Sequence, residues 1–66
     1  MCVNEFLGFE KSGATFYLVD ANKVGYMTHP QIMAAGDRNY VGNNYGDNVV
    51  VGFEPKKKGE VFLYIK

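Results

Sequence analysis

Cys2 is the only cysteine and His29 the only histidine in a chain of 66 residues. No disulfide can close within such a chain, and one thiol with one imidazole cannot complete a zinc site without several carboxylates. Small domains usually lean on one of those devices. Ordering each residue costs on the order of 1.5 kcal/mol, while burial returns only about 25 cal/mol per Å². What remains is a small apolar core supplemented by self-association. The composition can supply that core, since 47% of residues are apolar, among them five Phe and five Tyr, too many for a disordered segment. The chain therefore reads as one small β-rich domain over residues 1–66. Its cysteine usage suits a reducing, cytoplasmic compartment, and no apolar run has the length of a signal peptide core or a membrane span.

The apolar residues alternate along most of the chain. Val3 to Phe9 puts Val3, Glu5, Leu7 and Phe9 on one side, as a strand would, and "EKSG" follows as its turn. Ala14 to Asp20 returns as a second strand, and Val24 to Thr28 makes a short third. At "THPQIMAAG" the pattern changes. Thr28 and Gln31 have capping-box spacing, Pro30 fits a first helical turn and Gly36 a helix stop, which predicts about two turns of helix. Gly36 to Asn48 then reads as a long loop, Val49 to Phe53 as a fourth strand, "EPKKKG" as a connection, and Glu60 to Lys66 as the closing strand.

Three strands, a short helix, a long loop and a closing hairpin match a mainly β fold of the OB type. This is a five-stranded, partly open barrel with one short helix between strands three and four. An SH3-like barrel and a small α+β domain fit almost as well. The resemblance is one of topology only and implies no activity.

Two features point to binding. The closing strand has no polar face, because Val61, Leu63 and Ile65 alternate with Phe62 and Tyr64. Phe16 and Leu18 alternate with Tyr17 and Val19 in the same way. A second apolar face bearing Tyr17, Phe62 and Tyr64 is expected to meet either the rest of a barrel or another molecule, a second copy included. The loop from Gly36 to Asn48 has the vocabulary of adaptable binding loops. Tyr40 and Tyr45 give contact area at low entropic cost, and Arg38, Asn39, Asn43 and Asn44 give hydrogen bonds. Against that stands the plain structural reading, in which both tyrosines fold back onto the domain.

Other chemistries fit poorly. "DANKVG" and "DRNYVG" begin like calcium loops but place Val where an oxygen ligand belongs, so no metal or other cofactor is expected. Ser12 and His29 are the only serine and histidine, and no arrangement of them defines a catalytic site, so no enzyme is expected. Seven basic residues balance seven acidic ones, which disfavours nucleic acid as the main partner. The expectation is a small non-enzymatic protein-binding module, a class that includes phage-encoded inhibitors, that forms a homo-oligomer and engages another protein. One alternative is single-stranded nucleic-acid binding, with Tyr17 and Tyr26 stacking bases and Lys56, Lys57 and Lys58 guiding phosphates. A second alternative is a structural subunit of a larger assembly.

Overall fold

The computed structural model describes residues 1–10, 13–22 and 32–66. They form, in order, α1 (Val3–Phe9), β1 (Thr15–Asp20), β2 (Ile32–Gly36), α2 (Arg38–Tyr45), β3 (Val50–Pro55) and β4 (Glu60–Ile65). The fold is mainly sheet. Its four strands make one open sheet in the order β2-β1-β4-β3, with the two helices packed on one face.

The expected five-stranded barrel is not what the described residues build. Closure would require β2 to pair with β3, and these are the two outer strands. The expected third strand at 24–28 lies outside the described residues, as do Tyr26, His29 and the start of the expected helix. The described part of that helix is β2, antiparallel to β1 with Phe16 opposite Gly36 and Leu18 opposite Ala34. Gly36 ends this strand and not a helix.

At the centre, β1 and β4 run parallel in an unbroken register, from Thr15 opposite Glu60 to Asp20 opposite Ile65. Each strand alternates, so Phe16, Leu18, Val61, Leu63 and Ile65 turn to the helices and are buried. Tyr17, Phe62 and Tyr64 turn to the other face. The two-sided apolar pattern read in these strands is thus real, and helices cover one of its sides.

The first element is a helix and not the expected strand. Val3, Phe6 and Leu7 have the i, i+3, i+4 spacing of a helical stripe, and all three are buried. The pair Val3 and Leu7 satisfies both periods, which is why alternation misleads here. The helix start is held by Glu5, whose Oε1 accepts from the Cys2 N–H at 3.0 Å. That backbone hydrogen bond, seconded by the Cys2 side chain, keeps the Glu5 carboxyl below its ordinary range.

The expected loop at 36–48 contains α2. Asp37 is its N-cap, with Oδ1 accepting from the Tyr40 N–H at 2.9 Å. Asn and Gly are weak helix formers, and Val41 is the only buried residue of α2. Packing on α1 compensates. Asn4 lies against Gly42 and Gly46, one helical turn apart, and its N–H donates to the Gly46 carbonyl at 3.0 Å. A Cβ at position 46 would overlap Asn4 Nδ2 and the Gly42 carbonyl oxygen.

Both ends of the described chain are stitched to the turn after α2. Val3 N–H donates to Asn48 O at 2.9 Å, Val50 N–H to Met1 O at 2.8 Å and Lys66 N–H to Val49 O at 3.0 Å. Asn48 Nδ2 adds a bond to Lys66 O at 2.9 Å. At the other end of the sheet, Gly59 has φ of 84°, and the β3–β4 turn depends on that left-handed conformation.

Two glycine substitutions test the helix seat by chemical denaturation. Gly46→Ala should lower stability by about 1–3 kcal/mol, because the Gly42 carbonyl is backbone and cannot yield cheaply. Gly8→Ala, whose Cβ meets nothing within 4 Å, should raise it by about 0.5–1 kcal/mol.

Candidate binding surfaces

Three surfaces bring chemistry-bearing side chains together. The first is apolar and lies where the end of α1 meets β3. Phe6 forms its floor, with its ring edge-on to buried Phe16 at 6.3 Å and tilted against Phe53 at 5.2 Å. Phe9 and Phe53 wall a hollow of about 290 Å³ that Met1 and Glu10 complete. These walls face solvent: Phe9 is 78% exposed, Phe53 59% and Met1 56%. Val49 and Val51, 48% and 49% exposed, flank the core-facing Val50 and belong to the other side of β3, where Val51 lines a hollow with Tyr64.

The adjoining edge of β3 is closed to a further strand. Val51 sits in a bulge, since the register shifts between Val50 and Gly52. The Val50 N–H is already given to Met1, and Pro55 has no N–H to offer. This surface therefore offers a partner side chains more than backbone.

The second surface is a polar cleft of about 380 Å³ on the opposite flank of α1, lined by Asn4 and Gly8 and, from α2, by Arg38, Asn39 and Asn43. Arg38 is not a free anchor. Its guanidinium donates to the Leu7 carbonyl in the last turn of α1 and ties the helices together. Asn39, Asn43 and Asn44 are exposed, and the Asn44 amide donates to Tyr40 O at 2.9 Å. The two tyrosines have different positions. Tyr45 packs against the core, whereas Tyr40 is 43% exposed, with ring centroids 6.4 Å apart. Tyr40 also lies over Gly36, where a Cβ would fall 2.6 Å from its ring.

The third surface is the face of the sheet away from the helices, where Val19 is buried and Tyr17, Phe62 and Tyr64 are half-buried. Tyr17 and Phe62, neighbours on β1 and β4, stand with centroids 5.3 Å apart. Lys56 Nζ lies 5.3 Å from the Phe62 centroid and is ion-paired with Glu54. That hydrogen bond to Glu54 raises the Lys56 pKa. Tyr17 donates its hydroxyl to Glu60 Oε2 at 3.2 Å, and desolvation together with the Glu60 charge raises the tyrosine's pKa. Tyr64 stands apart from the ring pair, beside a hollow of about 340 Å³ that it shares with Ala21, Val51 and Gly52. Lys57 and Lys58 are exposed in the β3–β4 turn.

Among the sequence-derived candidates, Tyr17 and Phe62 are brought together, and so are Arg38, Asn39 and Asn43. Tyr40 and Tyr45 pair with each other, while Tyr26 lies outside the described residues. The Phe9–Phe53 hollow is not legible from alternation because Phe9, which reads as strand, lies in α1. The available signal was a helical projection, which places Phe9 beside Phe6 on the flank of the Val3–Phe6–Leu7 stripe.

No helix among the described residues is long and apolar enough to cross a membrane. The unequal burial of the two tyrosines predicts unequal costs in thermal or urea unfolding. Tyr45→Ala should destabilise by about 2 kcal/mol or more through lost core packing, and Tyr40→Ala by less than about 1 kcal/mol. Comparison with protein families, with curated proteins and with solved structures finds no match to this chain, so its functional reading rests on these surfaces alone.

Proposed function

We propose that the chain is a non-enzymatic protein-binding module that docks through the surface around α1, with the Phe9–Phe53 hollow as its apolar anchor. The observation that carries this is the exposure of Phe9 and Phe53, at 78% and 59%, on either side of a hollow floored by a buried aromatic. Isolated exposed apolar residues are ordinary, but a contiguous aromatic patch around a concavity is a feature of interfaces. The polar cleft on the other flank of α1 supplies the complementary rim. Asn39, Asn43 and Asn44 offer amide donors and acceptors, Tyr40 adds contact area, and Arg38 and Tyr45 hold the helix in place.

A photoreactive benzoylphenylalanine at position 9 of the full chain, irradiated in lysate of the cell that makes it, should give covalent protein adducts. The same group at position 58 should give none. Absence of adducts at position 9, with the far-UV spectrum of the fold retained, would remove this surface as a docking site.

Single-stranded nucleic-acid binding is a second reading with its own observation. Four-stranded sheets that read single strands stack bases on aromatics of their two central strands, and Tyr17 and Phe62 occupy such positions here. The charges favour protein over phosphate. Glu54 and Glu60 flank the ring pair, and Lys56 is engaged with Glu54. Anisotropy of a labelled mixed-sequence oligonucleotide, titrated at about 50 and 200 mM salt, should show no binding. Tight binding that weakens steeply with salt would move the functional site to the face that bears Tyr17 and Phe62.

A further inference from the structure

We infer that the occupant of the hollow is the Phe9 side chain of a second copy of this chain, exchanged reciprocally across a two-fold axis. This deepens the protein-binding reading and rests on it. A two-fold contact uses the same patch on both molecules, so the patch must carry both a projection and a matching recess. Here both lie side by side. Phe9 projects from the end of α1 at 78% exposure, and the recess of about 290 Å³ opens beside it over Phe6.

The available area suits a dimer. Taking roughly 200 Å² for a fully exposed Phe or Met, the exposures of Met1, Phe9 and Phe53 sum to about 400 Å² of apolar surface per copy. A stable interface needs about 800 Å² from each partner, the remainder of it polar rim. With formal net charge zero, two copies approach without mutual repulsion.

A foreign extended peptide is less well served. It would gain little from the bulged, proline-bearing edge of β3, and it would lose conformational entropy on docking. In a second copy the aromatic is already fixed at the end of a folded helix.

Sedimentation of the purified full chain from about 1 µM to 1 mM tests this, a range that spans weak and moderate dimers. The wild-type mass should rise from one chain to two. Phe9→Asp should weaken association at least about 30-fold, as loss of a central aromatic anchor does, with its far-UV spectrum unchanged. Phe9→Leu, which keeps an apolar projection, should still associate. In wild-type protein, concentration-dependent NMR shifts should fall on the Phe6 and Phe53 rings. A one-chain mass at 1 mM, a Phe9→Asp protein that still dimerises, or shifts confined to other residues would each overturn the inference. If the copies stay apart while position 9 forms adducts with a different protein, the docking surface stands and its occupant is foreign. If position 9 forms no adduct either, both readings fall.

Discussion

The parallel pairing of β1 with β4 is the contact on which the other elements hang. Among the described strands β2 pairs only with β1 and β3 only with β4, so this one ladder joins the two halves of the sheet. Its in-step alternation also determines the faces. Phe16 and Leu18 lie level with Val61 and Leu63, which gives the helices a continuous apolar floor, and the same register sets Tyr17 beside Phe62 on the reverse. A slip of one residue would exchange the two faces and strand the aromatics under the helices.

The helix layer is held less by propensity than by shape. α2 is built from residues that favour turns, and it persists because Asp37 caps it, Arg38 reaches the Leu7 carbonyl, and Asn4 rests where Gly42 and Gly46 leave room. Close helix approach through small residues lets a short helix with one buried side chain count as part of the core. The polar atoms at this contact are satisfied, and no buried side-chain nitrogen or oxygen among the described residues lacks a partner. Specific polar contacts thus position a layer whose apolar content is slight.

Some of this architecture was legible in the sequence, for identifiable reasons. The strands at 14–20, 49–53 and 60–66 were read nearly at their true positions, because β-branched and aromatic residues alternate there and Gly59 marks the turn. Val3–Phe9 was misread because seven residues cannot separate a period of two from one of 3.6 when Val3 and Leu7 satisfy both. Residues 32–36 read as helix because Thr28 and Gln31 have capping-box spacing and Pro30 and Gly36 suit a helix start and stop, whereas pairing with β1, Ala34 opposite Leu18 and Ala35 opposite Tyr17, makes them a strand. In α2 the Asn and Gly content hid Asp37 as a cap. Of the candidate site residues, Tyr17 and Phe62 emerged from strand alternation alone. Phe9 and Phe53 could not, since their exposure depends on where α1 crosses the sheet.

The β1–β4 ladder also orders events during folding. Parallel strands so far apart in sequence must close most of the chain into a loop before any hydrogen bond between them forms, and such topologies fold slowly for their size. Until β4 is available, β1 and β2 are a hairpin whose Phe16 and Leu18 have no floor to share, and two-stranded sheets are barely stable in water. During synthesis, then, the apolar strand of residues 15–20 must wait for most of the chain before its parallel partner is made, and misassociation is to be expected there.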